Sequence, residues 1–388
     1  MRPIYLDNHA TTPCDPRVVA AMQPFWLEDF GNAASSGHVF GRRARDAVEN
    51  ARSEVATLLG ADPREIAFTS GATESLNIAL KGLLARRAPR ARVTLSAIEH
   101  AVVRGCARYA VWRGGALDEL PVDGEARVDP ETLRAHLKVH GADTAWVAVM
   151  LANNEVGTVQ PVAELAAACA AADVPFVCDA VQGLGKTAFS VRLDGLAAVS
   201  VSGHKIGGPK GIGALWTRAR PPLDLPPLFE GGTQERGLRP GTLPVALIVG
   251  LGEACRILRT EGAEQSARVA ALRDRLWERL SDGLGAGVVR NSPTRDVLPN
   301  NLHVSFLGVE SRALMAHLPN LAFSAGSACS SEHLSASHVL TAMGLPPARV
   351  FTAARLGLGP STHGCDVDEA SDALIQAVRM LQIGRWGA

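Results

Sequence analysis

Apolar runs punctuate the first two-thirds of the chain: Glu65 to Thr69, Arg92 to Ala97, Ala145 to Leu151, Val174 to Cys178 and Leu196 to Val201. Their length and their Val and Leu content predict buried strands. Alanine-rich stretches of helical character separate several of them, so the expected architecture is α/β, a mainly parallel sheet covered on both faces. Residues 42 to 59 predict an amphipathic helix leading into that sheet, because Ala44, Ala47, Val48, Ala51, Val55, Leu58 and Leu59 fall on one side. Further along, Leu272, Leu276 and Leu280 stand at four-residue steps on a Leu/Arg-rich helix that opens a second domain.

Polar residues follow each predicted strand: Ser70-Gly-Ala72-Thr73-Glu, Glu99-His100, Asn153-Asn154-Glu155, Asp179-Ala-Val-Gln182 and Ser202-Gly-His204-Lys205. In an open parallel sheet ligands gather at the carboxyl ends of strands, so these groups outline one pocket. Lys205 is the centre of that pattern. It stands at a strand end between Ser202, His204 and a run of glycines, where an amine can be held against a carbonyl carbon in a dry site.

Composition narrows the class of protein. With 388 residues, 47% of them hydrophobic, and a formal net charge of zero, the chain can bury a large core in two domains. Basic and acidic residues are interspersed, which argues against a nucleic-acid partner. Nothing approaches the roughly 18 apolar residues of a membrane span, and the N-terminus lacks a signal-peptide pattern, so the expected location is the cytoplasm. The seven cysteines are widely spaced and lack a Cys-x-x-Cys pair, as suits reduced thiols. His136 and His140, one helical turn apart, have no third ligand nearby and predict an exposed helix face rather than a metal site.

The strand-end residues match what pyridoxal phosphate (PLP) needs: a lysine for the Schiff base, a carboxylate for the pyridine nitrogen, a flat group against the ring and a phosphate cradle. Lys205, Asp179 and His100 fill the first three roles, and Gln182 is a donor to the ring hydroxyl. Gly71-Ala72-Thr73, at a helix start, offers backbone N–H groups and a hydroxyl to the phosphate, with Ser202 and His204 beside it.

The chain resembles the cysteine desulfurases of the PLP-dependent fold-type-one superfamily, in the subgroup whose active cysteine lies in a long loop. The resemblance rests on Tyr5-Leu-Asp-Asn-His-Ala-Thr-Thr-Pro13, Phe68-Thr-Ser-Gly-Ala-Thr-Glu-Ser75, Glu99-His100, Asn153-Asn-Glu-Val-Gly-Thr158, Asp179-Ala-Val-Gln182 and Ser202-Gly-His-Lys205. It continues through Gly231-Gly-Thr-Gln-Glu-Arg236, Gly241-Thr242 and Ser324-Ala-Gly-Ser-Ala-Cys-Ser330. It implies a seven-stranded, mainly parallel sheet in a large PLP-binding domain, residues 14–255. Residues 1–13 and 256–388 would form a smaller α/β domain with a mobile loop at about 322–335.

It also implies the chemistry: L-cysteine becomes L-alanine, and its sulfur is left as a persulfide on Cys329. A protein acceptor, such as an iron–sulfur scaffold, would then take the sulfur. Lys205 is the implied base for the Cα proton, His100 a proton carrier, and Arg355, with Asn154, the grip on the substrate. A homodimer is implied, with Thr242 reaching the phosphate of the partner's cofactor. The chain departs from the family in three places: Gly357 and Pro360 replace a common serine and arginine, Gly183 replaces Ser or Ala, and the C-terminus is short. The rival functions are a selenocysteine lyase or an aminotransferase of the same fold, a sulfur relay without catalysis, and a dinucleotide-dependent oxidoreductase. The last lacks a Gly-x-Gly-x-x-Gly after its first strand.

Overall fold

The computed structural model describes residues 2–86, 91–325 and 336–383. Seven strands form the main sheet: β1 (Ile66–Thr69), β2 (Arg92–Ser96), β3 (Ala116–Leu120), β4 (Thr144–Ala148), β5 (Phe176–Asp179), β6 (Leu196–Ser202) and β7 (Gly213–Thr217). Their order is β1-β7-β6-β5-β4-β2-β3. All neighbours run parallel except β7, which is antiparallel to β1 and β6.

Both faces are covered, as a parallel sheet requires. Val147, Phe176, Val199 and Val201 point into one core layer with helix α1 (Val39–Leu59). Ala145, Trp146, Val177 and Ala198 point into the opposite layer, beneath helices α2 (Ala72–Arg86) and α3 (Ala101–Trp112). Every residue of β6 is buried, so the continuous apolar run is the sequence image of a central strand.

Two strands were not anticipated. β3 carries Asp118 and Glu119 and lies at the sheet's edge, where charged side chains discourage pairing with other chains. β7 begins inside the glycine-rich run after Lys205, which masks it.

A single 40-residue helix, α4 (Val245–Leu284), joins the two halves. Its Ile248, Leu251 and Cys255 pack into the main core, whereas Val269, Leu276 and Leu280 pack into a second core. The boundary expected after residue 255 thus falls within this helix. The second core surrounds an antiparallel sheet of β8 (Val288–Arg290), β9 (Asn301–Phe306), β10 (Ser324–Ala325) and β11 (Ala353–Gly357), in the order β10-β11-β9-β8. The N-terminal segment lies beside this sheet: Ile4 and Tyr5 pair with Leu321 and Ala322 as a separate two-stranded sheet, and Asp7 makes a single bridge to Gly357. Among the described residues no helix is long and apolar enough to cross a membrane.

The exposed edge of β1 is closed by side chains. Glu235 accepts from the Phe68 N–H at 2.7 Å, while Arg52 and Arg236 donate to the Ile66 carbonyl at 3.0 and 2.8 Å. Arg52 also forms a two-pronged buried pair with Glu235, at 2.7 and 2.8 Å. Glu235 and Arg236 adopt φ of 47° and 58°, an unusual conformation for side-chain-bearing residues that this clamp fixes in place.

Candidate active site

The carboxyl ends of β1, β2, β4, β5 and β6 surround a cavity of about 570 Å³. Ala72, Thr73, His100, Asn154, Asp179, Gln182, Ser202, His204, Lys205 and Arg355 all line it, as anticipated. Thr242 does not line the cavity; it is exposed, on the loop held by the Glu235 clamp. Cys329 lies outside the described residues, as does most of the 322–335 loop.

Each strand end presents its group for a local reason. Ser202 ends β6, and Gly203–Lys205 form one tight turn that aims the lysine back across the sheet's edge. The Lys205 ammonium donates to the carbonyls of His9 and Ala10, at 2.5 and 2.8 Å. Asp179 ends β5; its Oδ1 accepts from the Ser200 hydroxyl at 3.0 Å and the Val181 N–H at 3.1 Å. Among the described residues no hydrogen bond engages its Oδ2. His100 caps α3, its Nδ1 accepting from the Val102 N–H at 3.3 Å.

One end of the cavity lies at the start of α2, whose first N–H groups have no intrahelical acceptor. Gly71 and Gly213 touch here: a Cβ on Gly213 would come within 2.6 Å of the Gly71 Cα, so only glycine lets β1 and β7 approach this closely. Ser202 and His204 border the same end. Burial and the Lys205 charge push His204 down to about 4, so at neutral pH it is an uncharged imidazole, hydrogen-bonded to the Thr11 hydroxyl at 3.0 Å.

Sequence reasoning missed the part played by the N-terminal segment. His9 is fully buried, and burial with the Arg355 charge drives its pKa well below the ordinary value. Its Nδ1–H donates to Gln182 Oε1 at 3.0 Å, and Gln182 Nε2 donates back to the His9 carbonyl at 2.9 Å. His9 Nε2, left as an acceptor, receives Asn301 Nδ2 at 3.1 Å. Gln182 is therefore oriented by a histidine from the other end of the chain, with one amide hydrogen left for a ligand. His9 was visible only as a loop residue of a motif.

This histidine accounts for one departure from the family. A Cβ on Gly357 would sit 2.7 Å from His9 Cδ2, so serine has no room there. Gly183 has a similar cause: its Cβ would fall 2.6 Å from Leu151 Cδ2 and Cγ. At the third position, Pro360 offers its carbonyl to Arg268 at 2.5 Å.

Two buried carboxyls stand behind the site. Burial pushes Glu99 up to about 8; its Oε1 accepts from Ser96 and from the Met150 N–H, and among the described residues its Oε2 has no partner. Burial likewise pushes Glu155 up to about 7, against a 2.5 Å bond from the Ser337 hydroxyl. Three other thiols are poor candidates for chemistry, since burial raises Cys106 to about 11 and Cys169 and Cys255 to about 12. His136 turns to Thr94 at 3.0 Å, and among the described residues no group of metal-ligating side chains forms.

A mainly parallel sheet with a lysine, an aspartate and an imidazole at its strand ends defines a PLP-dependent transferase of fold type one. Residues 4–369 match the aminotransferase class-V family, and the chain belongs to it. It is similar to the cysteine desulfurase IscS of Anaeromyxobacter sp. (strain Fw109-5), 45% identical over 98% of this chain and 93% of that protein. The human cysteine desulfurase is 40% identical over 98% of this chain and 83% of its own length. Among solved structures, a NifS-like protein superposes with a TM-score of 0.89, at 35% identity over 97% of this chain and all of that one. A structure described as SspA in complex with cysteine gives 0.80, at 33% identity over 93% of this chain. The family's cofactor is PLP, and the residues present fit it. Asp179 has an oxygen to offer the pyridine nitrogen, α2 an unfilled N-terminus for the phosphate, and Lys205 an amine at the cavity wall.

Proposed function

We propose that this protein is a cysteine desulfurase that converts L-cysteine to L-alanine and stores the sulfur as a persulfide on Cys329. The observation that carries this is Lys205, Asp179, His100 and Arg355 converging on one cavity in a chain 45% identical to a cysteine desulfurase. When bound, PLP supplies an electron sink for charge developing at the substrate Cα.

The chain's own residues supply the rest. Arg355 binds the substrate carboxylate, with Asn154 beside it. Lys205 takes the Cα proton as general base, and His100, within the same cavity, carries protons. The Cys329 thiolate attacks the substrate sulfur: an S–S bond forms as the C–S bond breaks, and the electron pair stays on the carbon fragment, which takes up protons to become L-alanine. A protein acceptor, such as an iron–sulfur scaffold, then receives the sulfur. Gln182, held by His9, and the Thr73, Ser202 and His204 side chains hold PLP, together with the Ala72 N–H.

We place the enzyme in the cytoplasm as a homodimer. Trp26, Leu27, Phe30 and Phe40 are exposed apolar side chains on a stretch whose Asn32–Ala34 line the same cleft as Thr233–Arg236 and Leu243. Thr242 on that loop would face the partner's phosphate. Residues 14–255 are assigned as the PLP-binding domain, and 1–13 with 256–388 as the smaller one carrying the cysteine loop.

The test is alanine and sulfide release from L-cysteine with dithiothreitol. Wild type should release both in equal amounts, and Lys205→Ala neither. Turnover of selenocysteine but not cysteine would favour the lyase reading instead.

A further inference from the structure

Arg355 is a buried cation, 2% exposed, and Asp7 is the carboxylate that neutralises it. The placement of the pair is built into the small sheet. Asp7 lies opposite Gly357 and Ser324 opposite Arg355, so both project beside the guanidinium from the same edge of β11. One Asp7 oxygen, Oδ1, accepts from Arg355 Nη2 at 2.8 Å and from the Ser324 hydroxyl at 2.7 Å. The same Nη2 also donates to Ser324 Oγ at 2.9 Å, and Nη1 donates to the Asn154 carbonyl at 2.9 Å. Among the described residues, Arg355 Nε is buried with no partner.

The guanidinium that is to grip a carboxylate is thus already gripping one. A second anion cannot engage it without displacing Asp7 or sharing the cation with it, and two carboxylates on one guanidinium repel each other. A ligand without a carboxylate has nothing to offer in exchange, because parting Arg355 from Asp7 would leave a buried charge uncompensated.

We propose that Asp7 is a positioning and specificity-determining residue. It is a resident counter-ion, held in place by the Ser324 hydroxyl, that the substrate carboxylate must displace from Arg355. The proposal rests on Arg355 as the carboxylate site.

The experiment measures L-alanine affinity by calorimetry on the PLP-loaded enzyme, together with KM for L-cysteine. Asp7→Asn keeps the acceptor oxygen but removes the competing charge. It should bind L-alanine about tenfold more tightly, so that KM falls. Asp7→Asn with wild-type or weaker alanine affinity overturns the proposal, as does a loss confined to the melting temperature with affinity unchanged. Arg355→Gln separates the underlying reading: if it binds L-alanine normally, the carboxylate site itself is misassigned.

Discussion

The two walls of the cavity are built in opposite ways. The cofactor wall is a row of strand ends from one sheet: Asp179 is held within that sheet by Ser200 and Val181, and Lys205, Gln182 and His204 are tied down by residues 9–11 of the N-terminal segment. The substrate wall is assembled from far ends of the chain: Asp7, Asn154, Ser324 and Arg355 meet through charge and hydrogen bonds rather than through one continuous element. A rigid sheet suits a cofactor that stays. A network of exchangeable bonds suits a substrate that arrives with its own carboxylate and leaves without its sulfur.

If that contrast holds, substitutions on the two walls should fail differently. Lys205→Ala, on the cofactor wall, should lower alanine formation by about a thousandfold or more at any L-cysteine concentration, because it removes the base. Arg355→Gln, on the substrate wall, should act mainly on KM, raising it about a hundredfold as a buried charge-assisted contact is lost. Steady-state kinetics over a wide substrate range separates the two.

Next in size is the clamp at the sheet's edge. Glu235→Gln leaves the buried Arg52 with only the exposed Glu49 as counter-charge and should cost about 3 kcal/mol in denaturant unfolding. A smaller effect joins the walls at His9. Gly357→Ser should destabilise by about 1–3 kcal/mol through overpacking against the imidazole, and His9→Ala in the same chain should recover part of that loss. A double-mutant cycle measures the coupling.

The smallest effect is a dependence on pH. Glu99 holds its proton up to about pH 8 in the folded protein, whereas an unfolded carboxyl loses it near its ordinary value. Between those values the unfolded chain has released a proton that the native one keeps, so this group's contribution to stability falls as pH rises. Glu99→Gln should remove up to about 1.4 kcal/mol per pH unit of that slope between about pH 5 and 8. Equilibrium unfolding at several pH values would show it.

The same contrast explains what the sequence disclosed. Each cofactor-wall residue follows an apolar run directly, so strand and ligand group are read together, and His100, Asp179 and Lys205 are where the pattern put them. The substrate wall depends on register between strands hundreds of residues apart. Asp7 was visible only within a motif, and its pairing with Arg355 follows from the Asp7–Gly357 bridge that no local pattern encodes. The same limit hid β3, whose charges belong to an edge, and the continuity of α4, since its apolar face serves two different cores. The glycines at 183 and 357 stood in the sequence only as departures from the family; Leu151 and His9 fill the space a side chain there would need.

The most direct measurement is the intact mass of the PLP-loaded protein after a brief exposure to L-cysteine, in wild type, Cys329→Ala and Lys205→Ala. The account predicts one added sulfur atom in wild type, removable by dithiothreitol, and none in either variant. A Cys329→Ala protein that gains the sulfur, or that forms L-alanine at the wild-type rate, would contradict it.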